Sequence, residues 1–450
     1  MERPLQFVSD TCGGDPLGWD PAATFQRVCT DTRQLQPGDL FLALRGENFN
    51  GNQFARQALE AGAVAVVLDE PTAGDQPCLV VPDCRQAIGQ LGAAHRRQFN
   101  LPLFAIAGSN GKTSTKAMLA AILREQFETL HSEASFNNDI GVPATLLRLE
   151  PRHQAAVLEI GTNHPGELAP LVEMAAPRFG LLTGIGREHL EHFGDLEGVA
   201  REEGWLAELL PAGGKLFLNG DGDWVPAMVN RCRASAVTIG LDTGNDWRVT
   251  DLRVNEDGTN FVVRAPDAAF DGEYHTPLLG AHQAANAALA IAAAAELKMD
   301  RAKIARGLAA SPVPKMRLQS SERGGVRWLN DAYNANADSV RAALATLAGL
   351  QVEGKKYVVL GDMAELGEHA EAAHREAGTE AAGTVNGLIA VGAMADITAA
   401  AARDAGLTQV TAVADAAGAA EVLREWLQPG DVVLLKASRA ARLEQLEEIY

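Results

Sequence analysis

The chain is poor in three things, and each shortage removes a class of function. It has no long apolar run: none reaches the ~18 residues that a membrane-crossing helix needs, and the longest candidate, 287–295, is short and mostly alanine. No apolar signal core follows Met1-Glu2-Arg3-Pro4, so neither export nor membrane embedding is expected. Cysteine is scarce as well. Cys12, Cys29, Cys78, Cys84 and Cys232 are odd in number and contain no C-x-x-C pair. They are expected to be reduced and structural, which suits a cytosolic protein. Positive charge is the third shortage, with 39 Lys and Arg against 58 Asp and Glu and a formal net charge of −19. That balance excludes a general nucleic-acid binder, which needs a basic face to neutralise phosphates. Anionic ligands must then be captured by local cations, helix ends and Mg²⁺ instead of the overall field.

What is present is globular. Hydrophobic residues make up 47% of 450 positions, too long a chain for one ordinary core, so two or three domains are expected. There is no internal repeat and no low-complexity segment beyond the alanine richness.

One stretch organises the rest. Residues 104–107 are apolar and read as a buried strand, 108–111 as a tight turn, and 113–126 as a helix. Gly108, Ser109, Asn110 and Gly111, followed by Lys112, Thr113 and Ser114, form a phosphate cradle of the compact G-x-x-G-K-T type. Backbone N–H groups and the helix start face an anion, Lys112 supplies a cation, and the Thr113 hydroxyl can reach Mg²⁺. The full nucleotide loop has a further glycine where this chain has Ile106. A turn that merely needs glycines would leave Lys112 and Thr113 unexplained.

Three α/β regions are expected around this loop. Residues 1–100 form a small one, with strands at 40–44, 63–68 and 78–81 and a helix at 52–61. A larger region, 101–315, alternates strands and helices like a mostly parallel sheet, with strands at 155–160, 179–183 and 215–218. Chemistry collects at their C-terminal ends, where open α/β sheets place ligands. Glu159 closes an apolar strand, which is costly unless it is paired or coordinates something. It reads as a Mg²⁺ ligand, against a salt-bridged strand end. His189, in Arg187-Glu188-His189-Leu190-Glu191, could be another ligand, although a lone histidine is more often structural. Asn137 and Asn138 stand in a polar loop suited to a substrate wall. His282 and Asn286 share one helix face, and an amide can read an adenine edge. Residues 316–450 form a third α/β unit, with strands at 327–329, 356–360, 387–391 and 431–435. Its strand ends carry Arg317, Asp331 to Asn336, 361–367 and Lys436 to Arg439.

Taken together, 108–113, 137–143, Glu159 with Asn163, His189-Leu190-Glu191, His282 with Asn286, Asp331-Ala332-Tyr333-Asn334-Ala335-Asn336 and 361–367 resemble the Mur ligases nearly end to end. The resemblance implies an N-terminal UDP-substrate domain, a central ATPase and a C-terminal Rossmann-like domain closing over the nucleotide. The motif at 331–336, the one at 361–367 and His374 point to the member that joins D-alanyl-D-alanine to UDP-N-acetylmuramoyl-tripeptide with ATP. No Asp-Asn-Pro-Arg signature of the member adding the third residue is found.

By that resemblance Lys112 and Thr113 hold phosphates and Mg²⁺, Glu159 and His189 hold metal, and Asn286 meets adenine. Arg317, Asp331, Tyr333 and Asn334 reach the nucleotide from the closing domain. Thr32, Arg33, Asn50 and Gly51 lie near the uridine end, and Asn137, Asn138, Asn163 and Asn336 contact substrate. A cytoplasmic monomer without nucleic acid or membrane partners is implied. The chain departs from the family at Glu203. The family usually has a lysine there, carbamylated by CO₂ to hold a second Mg²⁺, so Glu203 is expected to supply a permanent carboxylate instead. Other readings are another Mur-type or folylpolyglutamate-type amide ligase, or a nucleotide-binding homologue weakened in catalysis.

Overall fold

The computed structural model describes residues 2–46, 48–71 and 76–449. The chain packs as two compact units: 1–105 with 127–162 and 167–178, and 106–126 with 163–166 and 179–450.

The first unit holds a five-stranded sheet in the order Asp15–Leu17, Cys78–Val80, Ala65–Leu68, Leu40–Leu42, Val28–Cys29. All neighbours are parallel except the first pair. Period-two alternation decides which face each side chain covers. Leu40, Leu42 and Val67 pack with Leu5, Val8, Phe25 and Leu91 on one side, and Phe41, Val66 and Leu68 pack with Ala55 and Ala58 on the other. Both faces are therefore apolar, as parallel strands require. The helix Cys84–Arg96 starts where the Asp83 side chain accepts from the N–H groups of Arg85 and Gln86. The same unit contains the parallel pair Thr129–His131 and Ala155–Glu159.

The chain passes from the first unit to the second inside strand β1 (Leu103–Ala107), whose five residues are fully buried. Helix α1 (Lys112–Arg124) follows directly. In the second unit β2 (Phe179–Leu182), helix α2 (Leu196–Glu203), β3 (Lys215–Asn219) and β4 (Ser235–Gly240) follow in order, and the three strands pair in parallel. Then β5 (Trp247–Asn255), β6 (Gly258–Arg264) and β7 (Gly272–Thr276) form an antiparallel ribbon. That ribbon departs from the alternating pattern expected for 101–315. A register break between Thr250 and Arg253 and the polar Asp251 and Arg253 interrupt its apolar periodicity.

Helix α3 (Ala281–Glu296) is almost wholly buried. Beyond it a six-stranded sheet is made from β8 (Gln319–Arg323), β9 (Val326–Asp331), β10 (Lys356–Gly361), β11 (Gly387–Val391), β12 (Val410–Val413) and β13 (Val432–Lys436), in the order β8-β9-β13-β10-β11-β12. Only the edge strand β8 is antiparallel. Helices α4 (Ala337–Gly349) and α5 (Ala370–Ala382) belong to this part. Leu329, Val358, Leu360 and Leu434 pack on one face of the sheet, and Trp328, Tyr357, Val359 and Val433 on the other. Among the described residues no disulfide forms, and no helix is long and apolar enough to cross a membrane.

Trp328 is fully buried in this second face. Trp328→Ala is expected to cost about 3–5 kcal/mol, read as a lowered urea midpoint of the transition that follows the six-stranded sheet.

Candidate active site

The phosphate loop is set by its two flanks. Strand β1 is anchored by its burial, and α1 begins at Lys112, so 108–111 must turn sharply between them. Gly108 and Gly111 do so with φ of +114° and +85°, a region that side chains other than glycine rarely tolerate. The loop is tied to the segment after β2: Ser109 donates its backbone N–H to Gly184 O at 2.9 Å, and its hydroxyl accepts from the Gly186 N–H at 2.8 Å.

Lys112 Nζ is turned onto the loop itself, 2.5 Å from Gly108 O and 3.3 Å from Glu188 Oε2. Glu203, the last residue of α2, is fully buried, and its Oε2 accepts the Gly108 N–H at 2.6 Å. Burial first, and then Glu188, push the Glu203 carboxyl well above the usual carboxylate range, with Lys112 opposing. Glu188 Oε1 and Glu203 Oε1 are both buried without a hydrogen-bond partner. His189, at φ +47°, is oriented by a hydrogen bond from its Nδ1 side to Glu365, and its Nε2 lies 3.9 Å from Glu188 Oε2. A carboxylate behind an imidazole is the usual way to aim the other nitrogen at a metal.

This donor set fits Mg²⁺. The orphaned carboxylate oxygens are hard ligands, and each would gain a partner from a bound cation. Among the described residues, however, no three His, Cys, Asp or Glu side chains already converge as a cage. Glu159 lies in the first unit, where it is buried and accepts the Asn137 amide at 3.0 Å.

Ser109, Asn110, Gly111, Thr113 and Ser114 border a cavity of about 640 Å³. Asn286 and His282 of α3 form another part of its wall, and Arg317, Asp331 and Lys436 a third. Burial pushes the His282 imidazole down to about 4, so it is neutral at pH 7. Lys436 is nearly fully buried, with Nζ 2.7 Å from Asp331 Oδ2 and 2.8 Å from Asn334 O. Burial lowers its pKa, against the pull of Asp331. Asp331 Oδ1 also accepts the Leu318 N–H at 3.1 Å, which fixes the segment carrying Arg317. The Arg317 guanidinium lies 4.2 Å from the Tyr333 ring centre, a cation–π contact. Tyr333 thus packs on Arg317, and the Asn334 carbonyl accepts from Lys436.

Asn336 caps α4, and its amide donates to Asn110 Oδ1 at 3.0 Å, so it meets the phosphate loop. Asn163 is exposed. In the first unit the expected substrate residues fall into separate local networks. Arg33 pairs with Asp31 at 2.7 Å beside Thr32, and Arg33 holds Asp31 down to about 2. Asn50 caps the turn Gly51–Phe54, whose first residue has no room for a side chain: a Cβ would lie 2.4 Å from Leu44 O. Asn138 caps the Gly141 N–H at 2.9 Å.

Sequence reading assigned no role to Glu188, Glu365 or Lys436. Lys436 had a signal, a charged residue closing a fully apolar strand like Glu159. Glu188 and Glu365 stand in polar loops that the motifs at 187–191 and 361–367 mark, with no role given to either side chain.

Three family models match: the Mur ligase family catalytic domain at 24–96, the Mur ligase middle domain at 106–294, and the Mur ligase glutamate ligase domain at 316–439. The chain is 39% identical over 395 residues to the UDP-N-acetylmuramoyl-tripeptide–D-alanyl-D-alanine ligase of Escherichia coli K12, covering 86% of this chain and 85% of that protein. Its fold is similar to crystal structure I of MurF from Acinetobacter baumannii (TM-score 0.91, 29% identity, 100% and 98% of the two chains). It is also similar to MurF ligase from Thermotoga maritima in complex with ADP (TM-score 0.83, 25% identity, 94% and 96%).

A Cβ on Gly111 would lie 2.5 Å from Asn286 Nδ2. Gly111→Ala should therefore both strain the loop and displace the Asn286 amide, weakening ADP binding about tenfold or more by calorimetric titration.

Proposed function

The chain belongs to the Mur ligase family, and from that premise we propose that it joins D-alanyl-D-alanine to UDP-N-acetylmuramoyl-tripeptide at the expense of ATP, a step in peptidoglycan precursor synthesis. The observation that carries this reading is the phosphate loop opening onto a cavity walled also by Arg317, Asp331 and Lys436. A nucleotide bound to the loop thus also meets the six-stranded part.

The chemistry follows from the weakness of a carboxylate as an acyl donor. The terminal carboxylate of the tripeptide attacks the γ-phosphorus of ATP, the bond to ADP breaks, and an acyl phosphate forms. The dipeptide amine then attacks the acyl carbon, and phosphate leaves. Such a transfer needs positioning and charge stabilisation more than covalent help. In this proposal the N–H groups of 108–111 and the ammonium of Lys112 take the phosphates. Asn286 meets the base, and Arg317 and Asp331 reach the nucleotide from the opposite wall. Thr32, Arg33, Asn50, Gly51, Asn137, Asn138, Asn163 and Asn336 are assigned to the substrate peptide and its UDP end.

Thr113, Glu159, His189 and Glu203 are the proposed holders of Mg²⁺, which when bound neutralises charge on the phosphates. Under this reading the domains are 1–100, 101–315 and 316–450, a division that the three family matches support. The chain acts in the cytoplasm, where ATP and nucleotide-linked precursors are found, as a monomer.

The test is ADP release with ATP and Mg²⁺, adding the UDP-linked tripeptide and the dipeptide separately and together. Turnover only with both is expected. ATP binding without turnover under authentic substrates would move the assignment to a homologue that has lost catalysis.

A second expectation concerns Glu203. Activity should be unchanged in bicarbonate-free buffer, and Glu203→Gln should lower it at least about tenfold. A wild type that needs bicarbonate would overturn the permanent-carboxylate role.

A further inference from the structure

Arg187, in the loop after β2, is not among the residues assigned to phosphate, metal or substrate, yet both carboxylates that bind its guanidinium come from α4 and α5 of the six-stranded part. Its Nε and Nη2 donate to Asp338 Oδ1 at 3.0 and 2.7 Å. Its Nη1 and Nη2 donate to Glu376 Oε2 and Oε1 at 2.7 and 3.0 Å. The backbone N–H of Arg187 adds a bond to Asp338 Oδ2 at 2.7 Å. Gly186 permits this approach, since a Cβ there would lie 2.8 Å from the same oxygen.

The charges explain why an arginine is needed. Helices α4 and α5 bring Asp338, Glu376 and Glu380 together around Arg341, which pairs with Glu376 and, at 2.7 Å, with Glu380. Without Arg187, three carboxylates would share one cation, and like charges this close repel. Arg187 is the partner supplied from the other side. Its side chain is only 26% exposed, so the bidentate contacts form in a partly desolvated setting where they count for more than a surface pair. Glu376 raises the pKa of Arg187, and Arg187 lowers that of Glu376.

Asp338 also links this cluster to the nucleotide end of the cavity. It stands two residues after Asn336, the α4 cap whose amide meets Asn110 of the phosphate loop. Fixing Asp338 thus fixes the start of α4 against the loop. Leu190, Phe193 and Val199 pack into the apolar cluster of the six-stranded part, and Arg187 adds the directional bonds that fix how α4 and α5 meet the loop after β2. An acyl phosphate left exposed by a misplaced α4 would be lost to water.

We propose that Arg187 is a positioning residue that clamps α4 and α5 against the phosphate loop for phosphoryl transfer. The proposal rests on the ligase reading. Arg187→Ala should lower kcat about 10- to 100-fold while changing the KM for ATP less than about threefold. Arg187→Lys should recover only part of the loss, because an ammonium lacks the two-pronged geometry. Added to the Asp338→Asn/Glu376→Gln double variant, Arg187→Ala should cost little more, as expected of groups acting as one unit. A kcat for Arg187→Ala within about twofold of wild type, or losses that multiply, would overturn the clamp.

If Arg187→Ala fails to fold by thermal unfolding, Glu376→Gln carries the same expectations. Small-angle scattering of the full chain with a non-hydrolysable ATP analogue and Mg²⁺ decides the clamp without activity. Wild type should compact more than Arg187→Ala, and equal compaction would refute the proposal. Wild type that releases no ADP with both substrates would instead refute the ligase reading, leaving the scattering comparison to judge Arg187.

Discussion

Two buried carboxyl groups, Glu188 and Glu203, crowd around one ammonium, Lys112, at the phosphate loop, and the second unit is arranged around that concentration of charge. Taking such groups out of water is costly, and mutual attraction repays the cost only with good geometry and further hydrogen bonds. The loop supplies some of them: Gly108 gives its carbonyl to Lys112 and its N–H to Glu203. One oxygen on each glutamate still lacks a partner. A site left short of partners in this way would gain them from a charged ligand.

The rest of the architecture keeps those charges where they are. Strand β1 and helix α1 fix the loop, Ser109 ties it to the segment after β2, and α2 delivers Glu203 from behind. His189 is held from the six-stranded part by Glu365, and the Glu191 N–H reaches Glu365 O at 3.0 Å. His369 Nε2 lies 2.9 Å from Gly194 O. The segment 186–194 is therefore the seam along which the six-stranded part meets the loop, and Arg187 is the strongest cation on it.

How much of this could be read from the sequence depends on distance along the chain. The phosphate loop was legible because its whole mechanism sits in a few consecutive residues. The parallel strands buried on both faces were legible because they leave apolar runs such as 356–360 and 431–435, misplaced only by a residue or so at the ends, whereas the part-exposed β4 and β12 were not expected. The ribbon β5 to β7 was not, since a register break and exposed charges blur its period. The pairs that close the site were not legible either. Arg187 and Asp338 are 151 residues apart and Arg187 and Glu376 189 apart, and nothing local marks either side as a partner. Tyr333 and Asn334 were named by motif, but the contacts that they make with Arg317 and Lys436 are not marked in the sequence.

Glu203 is where sequence, charge and geometry meet. A lysine at that position would put a second cation beside Lys112, with Glu188 as the nearby carboxylate, until CO₂ converted its amine to a carbamate. A glutamate offers carboxyl oxygens of the same kind as that carbamate without a modification, and its Oε2 takes the Gly108 N–H. Its side chain is shorter, and in this structure it reaches the loop backbone and Glu188. Burial and the neighbouring Glu188 make Glu203 hold its proton more tightly than an ordinary carboxyl, so a cation arriving beside it would favour the ionised form. What remains variable is geometry, and the bonds of Arg187 and Glu365 across the seam are what hold that geometry fixed.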